Sequence, residues 1–114
     1  MVEGSTMARG FAMGGGVAAA VVEAVHHIDP SVQMKFMAAD GLRDCRKMLL
    51  MAKTGRYDGY LLEGMACPGG CVAGAGTIQP VRQSANSVSK FKDAAKQLSC
   101  TTSPYLDRLE DVQE

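Results

Sequence analysis

Tyr57-Asp58-Gly59-Tyr60-Leu61-Leu62-Glu63-Gly64-Met65-Ala66-Cys67-Pro68-Gly69-Gly70-Cys71 is the stretch whose reading decides the fold. Its first part, Tyr57 to Met65, is rich in aromatic and aliphatic residues and reads as a strand. Its last part is a loop of small side chains carrying two thiols, extended by Val72-Ala73-Gly74-Ala75-Gly76. Upstream, Leu42, Cys45, Met48, Leu49 and Ala52 recur at helical spacing as a buried stripe, with Arg43, Arg46, Lys47 and Lys53 on the wet side. Asp40 is expected to cap that helix through its carboxylate, and Gly55 stands where helices end in left-handed geometry. Further back, Val32, Met34, Phe36 and Ala38 alternate with Gln33, Lys35 and Met37, which predicts a strand with one face toward the core. Two strands joined through a helix of this length are expected to be parallel neighbours with a right-handed crossover. In such sheets ligands sit beyond the carboxyl ends of the strands, where the cysteine loop begins.

Working outward, Val17, Val21, Val25 and Ile28 define a helix over 17–28 that Asp29-Pro30 closes, because a residue before proline is disfavoured in helical geometry. Residues 1–16 carry five glycines and no period, and read as an irregular lead-in. After Pro80, Val88, Phe91, Ala95 and Leu98 predict a helix from about Ser84 to Leu98. Ser103-Pro104 predicts a short last helix with Leu106, Leu109 and Val112 on one face. The fold class is therefore α/β: a short parallel sheet flanked by helices, in the order helix, strand, helix, strand, loop, helix, helix. The expected organisation is a lead-in over 1–16, an α/β unit over 17–100 with the cysteine loop at 65–80, and a helix or tail over 101–114.

Composition narrows the function classes. A chain of 114 residues makes one domain or part of one, and at this size burial is only ~65% of the unfolded surface. Twelve basic and twelve acidic residues cancel, so no surface for nucleic acid or another polyanion is expected. No apolar run approaches the ~18 residues of a membrane span, and the N-terminus lacks the basic-then-apolar order of a secretion signal. The expected compartment is cytoplasmic. Eight methionines, four cysteines and no tryptophan suit a soft core and a reducing, anaerobic setting.

Cys67 and Cys71 are the candidate metal ligands. Thiolates bind iron or zinc well, and small flanking residues leave room for a cluster larger than a single ion. The competing reading is two unreactive thiols in a glycine turn, because one cysteine pair is less than a tetrahedral set. A thioredoxin-like pair is disfavoured, since that chemistry uses two intervening residues and this loop has three. Cys45 falls in the apolar stripe of a helix and reads as a small buried side chain; Cys100 lies between two predicted helices and reads as an ordinary thiol, with a zinc or cluster role as the alternative. His26 and His27 point about 100° apart on a helix and read as an exposed pair. Gly14-Gly15-Gly16 lacks the lysine and hydroxyl ending of a phosphate loop, so close backbone packing at a helix start is expected.

Met65-Ala66-Cys67-Pro68-Gly69-Gly70-Cys71 and the glycine run after it resemble the third signature motif of the [FeFe]-hydrogenases, the iron-only hydrogenase family. The strand ending Leu62-Glu63-Gly64 and the Gly14-Gly15-Gly16-Val17 entry to a helix containing Glu23 fit the carboxyl-terminal part of that family's catalytic domain, roughly over residues 8–105. The family often follows the second cysteine with two residues, three glycines and Gln-Pro; here the run is Val72-Ala73-Gly74-Ala75-Gly76 and Thr77-Ile78 intervene before Gln79-Pro80, so the chain resembles a divergent branch. The resemblance implies an H-cluster in the parent enzyme: a [4Fe-4S] cubane joined through a cysteine sulfur to a diiron unit. It implies Cys67 as a cubane ligand, Cys71 as the bridging ligand and Met65 as a packing neighbour of the diiron unit. It implies an oxidoreductase that reversibly reduces protons to hydrogen, fed by a ferredoxin-like electron donor.

The family's two earlier cysteine motifs do not appear in this sequence. The chain is accordingly expected to be a piece of a longer hydrogenase, to need the remainder of that chain as its partner, and to be inactive and without cluster alone. The alternative expectation is a hydrogenase-like iron–sulfur protein that acts in cluster assembly or binding without hydrogen turnover. A zinc or thiol module using all four cysteines is a third possibility, at odds with spacings of 22, 4 and 29 residues.

Overall fold

The computed structural model describes residues 4–108, in the order α1 (Thr6–Arg9), α2 (Gly16–Ile28), β1 (Lys35–Asp40), α3 (Leu42–Lys53), β2 (Tyr60–Met65) and α4 (Val81–Asp93). A single 3₁₀ turn at Cys71–Ala73 lies between β2 and α4, and two more follow α4 at Cys100–Thr102 and Leu106–Arg108. β1 and β2 pair in parallel, with Lys35 opposite Tyr60, Ala38 opposite Glu63 and Asp40 opposite Met65. This is the expected α/β arrangement, a short parallel sheet flanked by helices.

Alternation along the strands sorts the two faces. A Cβ placed on Gly15 would meet Ala38 Cβ at 3.7 Å and the Phe36 ring at 3.9 Å, so Phe36, Ala38 and Asp40 face the start of α2. Their register partners Leu61, Glu63 and Met65 share that face. A Cβ on Gly64 would instead meet Cys45 Sγ at 3.3 Å and the Met48 methyl at 3.9 Å, so the opposite face lies against α3. The sheet is thus a layer between α2 and α3, each helix touching both strands.

Helix ends follow local chemistry. Asp29 caps α2 in an extended conformation before Pro30, as the sequence predicts. Gly55 takes φ +82; its N–H donates to the Ala52 carbonyl at 2.9 Å, and the Arg56 N–H reaches the Met51 carbonyl at 3.3 Å. That pair of bonds is a Schellman closure.

Other local expectations are corrected. β1 begins at Lys35, not Val32, and runs through Asp40. Asp40 is therefore a strand residue, and Gly41 (φ +86) occupies the cap of α3 with no side-chain bond. The Gly41 N–H is drawn to the Met65 carbonyl at 2.9 Å, which extends the parallel ladder one step past the strand. Of the predicted α3 stripe, Met48 is buried and Cys45 and Ala52 are half-buried, whereas Leu42 and Leu49 are 74% and 60% exposed. A two-stranded sheet is too narrow to cover the full width of the helix. Phe36, on the α2 face of the sheet, is exposed as well. β2 starts at Tyr60, because the Tyr60 N–H closes a turn onto the Tyr57 carbonyl and Gly59 has φ +77.

α4 begins three residues earlier than predicted and ends five earlier. The Pro80 carbonyl accepts from Gln83 and Ser84, and the chain leaves the helix so that the Gln97 and Leu98 carbonyls can accept from Thr6 and Met7 at 2.7 Å and 3.0 Å. The lead-in contains the one-turn helix α1, capped by Ser5, and Arg9 on it both donates to the Phe91 carbonyl at 2.7 Å and lies over the Phe91 ring. Within the described residues the predicted last helix shows a 3₁₀ turn at Leu106–Arg108; Leu109 and Val112 lie outside the described residues.

Among the described residues the buried apolar core consists of Ala18, Met48 and Val72, while Ile78 and Ile28 are 98% and 81% exposed. The radius of gyration of 15.9 Å exceeds the ~13 Å of a compact chain of this length. No helix among the described residues is long and apolar enough to cross a membrane.

The Asp29 carboxylate accepts from the Ser31 hydroxyl at 2.6 Å and from its N–H at 3.0 Å, and these bonds hold the carboxyl below its ordinary value. The folded value lies under the unfolded one, so the associated stabilisation is complete above the ordinary carboxylate range and is lost as pH falls through the lowered value. Ser31→Ala should move the Asp29 midpoint upward in an NMR titration; an unchanged midpoint would contradict the assignment.

Candidate functional site

The cysteine loop starts at the last residue of β2, at the carboxyl edge of the sheet. It turns back at once: the Gly70 N–H donates to the Cys67 carbonyl at 2.9 Å, and Gly69 and Gly70 take φ +94 and +88. A 3₁₀ turn at Cys71–Ala73 follows, closed by the Gly74 N–H on the Cys71 carbonyl at 2.9 Å. Cys67 is half-buried and Cys71 exposed, and both are free thiols. Gly74 packs close to both residues: a Cβ there would sit 3.7 Å from Cys67 Sγ and 3.0 Å from the Cys71 carbonyl oxygen. A methyl group there would rest in van der Waals contact with the Cys67 sulfur and crowd the Cys71 carbonyl.

The segment before α2 fastens the loop on both sides of the thiols. After Cys71, the Val72 N–H donates to the Ala12 carbonyl at 3.1 Å, and Val72 is buried. Before Cys67, the Glu63 carboxylate accepts from the Gly15 N–H at 2.9 Å (Oε1) and from the Ala18 N–H at 2.6 Å (Oε2). Gly15 has no side chain to cap α2. Glu63 takes that role from a distant strand, placing a carboxylate at the positive end of the helix. Bonds of this charge-assisted kind are roughly twice as strong as neutral ones.

The glycine triplet explains how the segment comes so close. A Cβ on Gly70 would approach the Gly14 amide nitrogen to 2.6 Å, and one on Gly16 would collide with the Gly10 carbonyl. Gly14-Gly15-Gly16 thus serves close backbone packing, as the sequence predicts. Glu63 itself is what sequence reading missed. Its one signal was a carboxylate inside an otherwise apolar strand.

The remaining thiols are placed differently. Cys45 Sγ lies 3.5 Å and 3.4 Å from the Ala39 and Met65 carbonyls, a small side chain tucked under the strand ends. Cys100 is exposed in the first 3₁₀ turn after α4. His26 and His27 are exposed on the last turn of α2. Among the described residues no three His, Cys, Asp or Glu side chains converge on a point suited to a metal ion. Met65 closes β2 opposite Asp40. Beside the loop, Ala66, Pro68 and the Asp40–Asp44 segment line a cavity of ≈ 380 Å³ that neither loop thiol enters.

A strand that ends in a Cys-x3-Cys loop, buttressed by a glycine-rich helix start, is the arrangement to compare with known families. Residues 1–75 match the model described as iron only hydrogenase large subunit, C-terminal domain. The chain belongs to this family. Its iron-hydrogenase-like character, and with it the iron–sulfur association, is thereby shown for the segment that runs from the lead-in through both cysteines. Curated relatives are of another kind. The chain is 34% identical over 58 residues to a probable cytosolic Fe–S cluster assembly factor of Aedes aegypti, a match that covers 51% of this chain and 12% of the relative. It is 37% identical over 51 residues to the nuclear prelamin A recognition factor of Xenopus laevis, covering 45% and 11%. It is 34% identical over 58 residues to a cytosolic Fe–S cluster assembly factor of Danio rerio, covering 51% and 14%. The chain spans no more than 14% of the length of any of these three.

The donor set suits an iron–sulfur cluster of this family in part. Two soft thiolates on an open, glycine-lined loop are appropriate to iron and sulfide. They are half of the four ligands that a cubane takes.

Proposed function

We propose that this chain supplies two thiolate ligands, Cys67 and Cys71, to a [4Fe-4S] cluster in a hydrogenase-family protein that works in cytosolic iron–sulfur cluster assembly or binding rather than in hydrogen turnover. The observation that carries the cluster reading is the loop: two free thiols, one half-buried and one exposed, among small residues at the carboxyl edge of a parallel sheet. The choice of assembly is supported by relatives bearing that description. When bound, such a cluster supplies one-electron chemistry or is itself the cargo passed on.

Cys67 and Cys71 hold iron, Glu63 and Val72 anchor the loop, and Gly69 and Gly70 permit its reversal. Cys45 takes no part, because its thiol is engaged with two backbone carbonyls. The two missing ligands must come from residues other than those described here, on another segment or a partner. The exposed apolar surface of α3, including Leu42 and Leu49, suits a place within a larger body.

The hydrogenase reading remains the second, and Met65 favours it. A methionine two residues before the first loop cysteine, at the end of β2, is where the family resemblance puts a neighbour of a diiron unit. On that reading Cys71 is the bridging ligand, an H-cluster is the cofactor and a ferredoxin-like protein the electron donor. One experiment separates the readings. The full-length protein carrying this chain is reconstituted anaerobically with iron and sulfide, then assayed both for hydrogen evolution from reduced viologen and for cluster transfer to an apo-ferredoxin. The expected result is a cubane absorption and EPR signature, transfer, and no hydrogen above background. Hydrogen evolution from protein also supplied with a diiron precursor would favour the second reading.

A further inference from the structure

We infer that Glu63 is the positioning residue of the thiol loop, coupling the placement of Cys67 to the N-terminus of α2. The inference rests on the proposed cluster ligands and assigns a role to a residue outside the ligand set. Glu63 stands four residues before Cys67, on the α2 face of the sheet, opposite Ala38 in register. Both its oxygens are used: Oε1 accepts from Gly15 at 2.9 Å and Oε2 from Ala18 at 2.6 Å. A bidentate grip on two backbone N–H groups fixes the side chain in direction as well as distance, and so fixes the path of β2 into the loop.

Three features make this more than an ordinary cap. Gly15 offers no side chain of its own, so the N-terminus of α2 depends on the strand for its acceptor. Val72 ties the far end of the loop to Ala12, three residues before Gly15, so both thiols lie between two anchors on one short segment. Gly70 rests against the Gly14 amide between those anchors, closer than any side chain would allow. A shift of α2 therefore moves Cys67 and Cys71 together. Conversely, iron held by the two thiolates restrains residues 12–18, which contain no metal ligand.

The test uses the full-length protein, wild type and with Glu63→Ala or Glu63→Gln, reconstituted with iron and sulfide. Loss of a direct hydrogen-bond partner of a metal ligand typically weakens binding by ~10–100-fold; Glu63 acts one step further out, through the path of β2, so the lower end is expected. Glu63→Ala should retain iron ~10-fold less well and should alter the EPR line shape of the reduced cluster. Glu63→Gln should recover part of both effects, since its amide oxygen still accepts one of the two bonds. A folded Glu63→Ala protein with wild-type iron retention and an unchanged EPR spectrum would overturn the inference. If the alanine variant does not fold, the wild type still decides: cluster assembly should slow hydrogen exchange at the Gly15 and Ala18 amides at least several-fold, and unchanged exchange there would overturn it. Wild type that assembles no cluster would sink the ligand assignment and this inference with it. Wild type that assembles one with no response at Glu63, Gly15 or Ala18 would sink this inference alone.

Discussion

Gly70→Ala is expected to destabilise the protein by about 3–5 kcal/mol, at the upper end of what single substitutions do. Two causes add. Gly70 has φ +88 and ψ −169, a region that is essentially glycine-only and costs any other residue ~1–3 kcal/mol. The new Cβ would also come within 2.6 Å of the Gly14 nitrogen and 2.9 Å of the Ala12 carbonyl oxygen. Those are backbone atoms and cannot swing away. The loop would have to lift off residues 12–14, and the Val72 to Ala12 bond would go with it. Gly76 is the internal control. It has the same φ of +88 but nothing within 4 Å of its added Cβ, so Gly76→Ala should cost only the conformational ~1–2 kcal/mol. Urea denaturation measures both, as a fall in midpoint at constant slope. Equal losses at the two sites would show that the close approach of the loop to the glycine triplet carries no weight.

The second large effect is chemical. Cys67→Ser or Cys71→Ser should each abolish stable cluster binding in the full-length protein while leaving the fold intact. Cys71 is exposed and Cys67 half-buried, so exchanging sulfur for oxygen disturbs little packing. Losing only an outer-shell partner costs ~10–100-fold in metal affinity, and losing a thiolate ligand should cost more. Iron and sulfide retained after desalting, together with the visible absorption, provide the readout. Cys45→Ser and Cys100→Ser should both keep the cluster. If Cys45→Ser removed it and Cys71→Ser did not, the ligand assignment would have to be redrawn around the carbonyl-engaged thiol beneath the strands.

The two strands and α2, α3 and α4 were legible because each depends on a periodic pattern within about a dozen residues, and the parallel pairing because a helix joins the strands; the one-turn α1 has no such pattern. Asp29-Pro30 and Gly55 were legible for a related reason: their effects on the backbone are local and geometric. The misreadings share a different cause. Leu42 and Leu49 match the apolar stripe of α3, yet water reaches them because the sheet beneath has only two strands. Asp40 has the chemistry of a cap, but ladder pairing with β2 claimed its backbone. The end of α4 was set by carbonyls needed at Thr6 and Met7, some ninety residues away in sequence. No local pattern carries that information.

By itself the sequence determined the chemistry of the loop: two thiols separated by three residues, set among glycines at the end of an apolar strand. Residue type and spacing are covalent facts, and ligand softness follows from them. Only the tertiary structure decided how that loop is held. The Glu63 carboxylate on the α2 N-terminus and the Val72 bond to Ala12 both join segments 45 or more residues apart, and both depend on the parallel register that brings Glu63 onto the α2 face. A loop this rich in glycine has little conformational preference of its own, so its shape had to come from the neighbours that clamp it.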